Sequence, residues 1–287
     1  MAAESVGMSQ KKKDRAATIG MIIFFSILAI LTVLPIYLLV LASFKPGNFL
    51  LQYGLNLNLD IPHLTLDNYK LLFTGKHDYW TWFGNSLILT VITVILTLAI
   101  SAFVAYGFAA YDFKGKNFLF IIVLLILSVP FEVIMLPLYK QISSWGMMDS
   151  YVSVVLPFLA HASTIFFFRQ YFLSIPKDLE NAAIVDGCSR LGVFFKIVLP
   201  NAKPAIATTA ILSFRSVWNA FLWPMIVIND YDKLTLTVGL KYLKEWDPNW
   251  AVLLAGATMS IVPIVIVFLL FQKYFMASAM NSGFGGK

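Results

Sequence analysis

Between Thr18 and Ala42 the chain runs for about 25 residues without a charge. That is longer than the apolar core of a signal peptide and long enough to cross a lipid bilayer as a helix. Leu41-Ala42-Ser43 looks like a processing site, but the length of the run favours an uncleaved first span. Five more stretches follow the same pattern, at about 85–110, 118–139, 151–168, 205–228 and 250–271. Inside hydrocarbon each backbone N–H and C=O needs an internal partner, which a helix supplies along its own length. The expected fold is therefore all-α and membrane-embedded, with six transmembrane helices after a polar tail at 1–17, the transmembrane domain covering 18–287. Composition agrees: 59% of the residues are hydrophobic and 13% charged, and the mean hydropathy is +0.79, outside the range of soluble globular domains. Cys188, the single cysteine, excludes an internal disulfide and a multi-cysteine metal site.

The net charge of +6 matters through its placement and is no argument for nucleic acid. With six spans both termini lie on one side. Lys11, Lys12, Lys13, Arg15, Lys114, Lys116, Arg169, Lys177, Arg190, Lys196, Lys203, Lys273 and Lys287 then fall on the side of the termini, 13 of the 21 basic residues, against seven on the other side and Arg215 within a span. By the positive-inside rule the termini are cytoplasmic. Trp80, Trp82, Trp223 and Trp250 fall near the proposed external boundaries, as interfacial aromatics do.

One polar stretch, residues 175–204, interrupts this membrane-like sequence. A first short helix is expected from about Pro176, with Asp178 and Glu180 in its opening turn and a stop at Gly187. A second begins after Ser189, a good N-cap, and sets Leu191, Phe194, Phe195, Val198 and Leu199 on one face before Pro200. The result is a helix-Gly-helix hairpin, cytoplasmic by the charge count, with an apolar stripe that wants a partner.

The spacing within this hairpin resembles the permease subunits of binding-protein-dependent, ATP-driven importers, whose pattern is Glu-Ala-Ala, three residues, Gly, nine residues, Ile-x-Leu-Pro. Here the frame reads Asn181-Ala182-Ala183, Gly187 and Ile197-Val198-Leu199-Pro200. Asn181 stands where the pattern has Glu, so a salt bridge made by that Glu would fall to Glu180 or Asp186. Ser43-Phe-Lys-Pro, Asn85-Ser86, Phe168-Arg169-Gln170, Trp218-Asn-Ala-Phe-Leu-Trp-Pro224 and Leu234-Thr-Leu-Thr-Val-Gly239 extend the likeness to the carbohydrate-importer permeases, among them those for maltose and for arabinose-containing oligosaccharides. The tail Asn281–Lys287 is similar to a glycine-rich tail of that family but lacks its usual ending.

The resemblance implies the type I ABC importer permease fold, in which the hairpin couples the spans to a cytoplasmic ABC ATPase dimer. ATP and Mg would be bound by that partner, and this chain would have no cofactor and no catalysis of its own. Docking would fall to Glu180, Asn181, Ala182, Ala183, Asp186, Gly187, Leu191, Phe194 and Phe195. A second, different permease subunit would complete the pore, an extracytoplasmic solute-binding protein would deliver a carbohydrate, an oligosaccharide by the resemblance, and the location would be a bacterial or archaeal cell membrane.

Within the spans, Glu132 and Arg215 are costly in lipid and are candidates for the translocation path, alone or as a pair. Trp218 and Asn219 join them, because polar and aromatic faces suit sugars, although helix packing would explain the same residues. His161, beside Ser163 and Thr164, is expected to be packed or hydrogen-bonded rather than a ligand. Pro130, Pro137 and Pro224 are expected to kink or break their spans. Three rivals stand against this reading: an importer permease for a non-sugar solute, an ion-coupled transporter and a membrane enzyme. The ion-coupled transporter calls for duplicated halves, and no internal repeat is present. The enzyme calls for clustered catalytic groups, and His63, His77 and His161 are scattered.

Overall fold

The computed structural model describes residues 2–59, 61–75, 78–246 and 249–284. Every regular element among them is a helix. The chain divides into two compact units, Met1–Gly75 with Lys244–Met259, and Lys76–Leu243 with Ser260–Lys287.

The first unit contains α1 (Ala2–Ser43), α2 (Gly47–Tyr53) and α3 (Asp67–Thr74). The part of α1 that is long and apolar enough to cross a membrane is Ala17–Ser43; the helix also continues through the expected polar tail. Its end is tied into a polar knot. Lys45, only 1% exposed, donates to Oδ1 of Asn56 at 2.7 Å and to the Asn56 carbonyl at 3.2 Å. Asn68 donates to the carbonyls of Ser43 and Lys45 at 2.8 and 2.9 Å, and the Ser43 hydroxyl meets that of Tyr69 at 2.6 Å. A buried ammonium survives only with such partners. The Ser43-Phe-Lys-Pro motif is therefore a structural turn.

The second unit is built on α4 (Tyr79–Ala110). Ser86, Thr90, Thr93, Thr97 and Ser101 recur at three- and four-residue intervals and are all buried, giving a narrow hydroxyl seam against which neighbouring helices pack closely. Thr93 donates to Leu89 within the helix, at 2.7 Å, whereas Thr97 reaches across to the Phe158 carbonyl at 2.8 Å. Of the small residues near the C-terminal end of α4, Ser101, Ala102 and Ala105 are buried; Gly107 has open space where a Cβ would stand.

Three later spans are broken. The third consists of α5 (Lys116–Ile126) and α6 (Phe131–Ser144), meeting at 100°. The fourth consists of α7 (Tyr151–Val155), a short 3-10 turn to Phe158, and α8 (Ala162–Leu173), bent by 43°. Then come α9 (Lys177–Val185), and α10 (Arg190–Val193) running through a π turn (Phe194–Val198) into α11 (Leu199–Asn201). A 75° elbow leads to α12 (Lys203–Trp218). The fifth apolar run, in which Pro224 was expected to kink or break the helix, stops at Trp218 and resumes as α13 (Leu222–Val227). The chain ends with α14 (Leu236–Trp246) and α15 (Trp250–Phe284), of which Trp250–Lys273 is long and apolar enough to span. Residues 285–287 of the glycine-rich tail lie outside the described residues.

At the end of α4 away from the hairpin, the connecting loops are clamped. Asn85 donates to the carbonyls of Asp232 and Leu234 at 2.8 and 3.0 Å and accepts from the Tyr151 hydroxyl at 2.8 Å. The Leu236 amide donates to Ser86 Oγ at 2.7 Å. Gly239 lies so close to the Trp82 indole that a Cβ there would collide with the ring. Thr237 donates to the Ala220 carbonyl at 2.6 Å and Trp223 Nε1 to the Ser153 carbonyl at 2.9 Å. These bonds fix the break between α12 and α13.

Candidate functional site

The three breaks converge. A cavity of 660 Å³ is lined by residues 126, 127 and 129 from the first break, Ala160 and His161 from the second, and Asn219, Ala220 and Phe221 from the third. Non-helical backbone at membrane depth is tolerated only where protein or a cavity surrounds it, so the breaks and the cavity are one feature. A proline stands beside each: Pro130 caps α6, Pro157 lies in the 3-10 turn before α8, and Pro224 lies in the first turn of α13. Pro137, by contrast, sits inside α6 without breaking it.

The walls combine aromatic and polar groups. Phe131 meets Phe158 with ring centroids 5.3 Å apart and meets Trp223 edge-on at 5.9 Å. Glu132 lies in the first turn of α6, where the free amides of the helix start favour a carboxylate. His161 Nδ1 is 2.8 Å from the Ser163 hydroxyl, so the hydrogen-bonded histidine expected from the sequence also faces the cavity. Asn219 spends its amide on the Arg215 carbonyl at 3.0 Å, leaving Oδ1 for the cavity. Ser216 completes the polar set.

Two expected path residues belong elsewhere. Arg215 is exposed and absent from the cavity wall, and no ion pair joins it to Glu132 among the described residues. Trp218 is buried at 2% exposure; its Nε1 donates to the Ser260 carbonyl at 3.0 Å and its ring contacts Phe83 and Phe214. It packs helices and is absent from this cavity's wall. The residues that sequence reasoning passed over are Phe131, Phe158, Ser216 and Trp223. The signal that could have found them is a proline near each break, of which Pro157 drew no notice.

The hairpin forms as expected. Gly187 takes φ +85°, a left-handed conformation that favours glycine, and Ser189 Oγ caps the second helix by accepting from the Gly192 amide at 3.1 Å. The apolar stripe, however, divides. Phe194 is 1% and Val198 0% exposed, packed in a core with Tyr106, Phe168, Phe172 and Ala183; Phe103 and Tyr106 lie 4.9 and 4.8 Å from the Phe194 ring. Phe194 and Ala183 are thus unavailable to a docking partner, because the second hairpin helix spends its inner face on α4 and α8. Leu191 and Phe195 remain exposed, as do Asn181, Ala182, Asp186 and Gly187, with Glu180 half-buried. Leu179 and Val185, absent from the expected set, add apolar surface, Val185 being 86% exposed.

Polar contacts fasten the hairpin further. Tyr106 donates to the Arg190 carbonyl at 3.1 Å, Arg190 reaches the Ala110 carbonyl at 3.3 Å, and Tyr171 donates to the Asn201 carbonyl at 3.2 Å. Glu180, Asn181, Lys177 and Arg190 border a 230 Å³ recess with Asp112 and Lys116. Lys116, 3.0 Å from Asp112, holds that carboxyl below its ordinary range.

Residues 100–279 match the family described as binding-protein-dependent transport system inner membrane component. The chain is 45% identical over 263 residues to the arabinooligosaccharides transport system permease protein AraQ of Halalkalibacterium halodurans, covering 91% of this chain and 94% of that protein. It is 44% identical over 269 residues to the protein of the same name in Bacillus subtilis, covering 93% and 96%. Among solved structures it is similar to a chain of a bacterial ABC transporter involved in the import of the acidic polysaccharide alginate, at 26% identity and a TM-score of 0.80 over 92% of this chain and 98% of that one.

Proposed function

Because the chain belongs to the binding-protein-dependent transport system inner membrane component family, we propose that this multi-pass membrane protein is the permease subunit of an ATP-driven ABC importer that moves a saccharide, an oligosaccharide by the names of its relatives. The observation that carries this reading is a continuous mechanical path. From the hairpin, residues 190–201 turn through one elbow into α12, whose C-terminal cap, Asn219, lies on the cavity wall. The elbow is tight: Ala202 is fully buried and its amide bonds to Val198 and Leu199. A push on the hairpin therefore reaches the cavity as a rigid-body movement, the kind of step that alternates access.

In this reading a cytoplasmic ABC ATPase dimer binds ATP and Mg and docks on the exposed hairpin surface around Leu179, Val185, Leu191 and Phe195. Glu180 and Asp186 supply the negative charge that Asn181 does not. The hairpin and both termini are cytoplasmic, a second permease subunit closes the pore, and an extracytoplasmic binding protein supplies substrate, as the family's description implies. The membrane is that of a bacterial or archaeal cell. Extraction in mild detergent tests the scheme. The tagged chain should co-purify with a nucleotide-hydrolysing subunit and a second permease; recovery of the chain with neither would refute it. The relatives' named substrates include both a pentose oligomer and an acidic polysaccharide, so charge is a property the cavity has to decide.

A further inference from the structure

The 660 Å³ cavity adjoins another of 320 Å³, with Phe158, His161, Ser163 and Ser216 in the walls of both. The second compartment adds hydroxyls from Thr97, Thr209 and Ser213. Two of the polar groups are already committed within the protein, Thr97 to Phe158 and Thr209 to Ala205. Around this whole space Glu132 is the single acidic side chain, and no lysine or arginine lines it among the described residues.

We propose that the two compartments select uncharged saccharides and that Glu132 is the specificity-determining residue; this builds on the saccharide reading above. A pair of sugar hydroxyls can donate to the Glu132 carboxylate, giving charge-assisted bonds stronger than neutral ones. A sugar carboxylate at the same place meets a like charge, with no lysine or arginine on this wall among the described residues to offset it. Removing an anion from water without a counter-charge adds a further cost. Glu132 is exposed to the cavity and has no basic partner among the described residues, and its position in the opening turn of α6 places it beside free amides that favour a carboxylate. His161 contributes without charge discrimination: one ring nitrogen is engaged by Ser163, and the other is available to a sugar hydroxyl as donor or acceptor.

The test is equilibrium binding of two labelled trisaccharides to the detergent-purified transporter complex without its binding protein, so that the selectivity measured is that of the membrane subunits. The probes are neutral xylotriose and trigalacturonate, which carries a carboxylate on each ring. The intact complex should bind xylotriose at least about 10-fold more tightly. Glu132→Gln should weaken xylotriose by about 5-fold and bring the two probes within about 3-fold of each other. Arg215→Gln, off the cavity wall, should leave the ratio unchanged. Equal binding of both probes by the intact complex, or a ratio that survives Glu132→Gln, would overturn the charge selection while leaving the saccharide reading in place. Binding of neither probe would count against the saccharide reading itself and remove the proposal with it.

Discussion

Phe194 and Val185 show how differently two apolar residues of one hairpin are used. Phe194 is enclosed by Phe103, Tyr106 and Phe172, whereas Val185 stands almost wholly clear of the chain. Truncating a fully packed aromatic typically costs about 3–5 kcal/mol through lost contacts and the cavity left behind. Phe194→Ala should therefore lower the thermal midpoint of the purified protein in detergent by several degrees, and Val185→Ala should not move it. An unchanged midpoint for Phe194→Ala would mean that the hairpin is not anchored through this ring. The sequence showed that Phe194 is apolar and on the face of Val198, but not whether that face is turned toward a partner or toward α4. The answer lies in residues remote in the chain, Phe103 and Tyr106, whose rings meet the stripe only after α4 and α8 have paired.

At the scale of elements, the loops at the far end of α4 act as a clamp whose strength depends on pH. Asp149 accepts from the amides of Asn229 and Asp230, and these bonds hold its carboxyl below the ordinary value of 3.8. A carboxyl whose folded value is depressed stabilises the fold above its unfolded value and loses that contribution as pH falls through the folded one. Amide exchange at Asn229 and Asp230, corrected for intrinsic rates, should therefore quicken as pH drops from about 5 toward 3, and Asp149→Asn should abolish that dependence. Exchange in the native protein that stays independent of pH over this window would show that Asp149 does not hold the loop. Asn85 and Ser86 were expected to open the second span, which instead begins at Tyr79; their role in gripping Asp232, Leu234 and Leu236 was not legible, since those partners lie about 150 residues away. Proline alone did not locate the breaks, since Pro35, Pro137 and Pro263 sit inside continuous helices. Apolar length announced the spans, while Pro130, Pro157 and Pro224 marked where three of them break to line the cavity.

For the whole molecule, the proposed function has force entering at an exposed hairpin tip and leaving at a cavity where three broken helices meet, through the elbow between α11 and α12. The hairpin's spacing made the family legible, and Glu132 and Asn219, singled out from polarity within an apolar run, both line the cavity. Arg215 and Trp218 were drawn in by the same rule and turn away, because helix rotation is set by packing that polarity alone does not specify. The most direct measurement is ATP-driven saccharide uptake into proteoliposomes holding the complete transporter and its binding protein, with ATP hydrolysis followed in parallel, for native chain, Val185→Asp and Leu191→Asp. Both variants should fold and insert with native thermal midpoints yet lose at least about 10-fold in uptake, since a charge buried without a partner at a docking surface weakens it strongly. Native uptake in both variants, with hydrolysis still coupled to transport, would contradict the claim that this hairpin tip is where the motor takes hold.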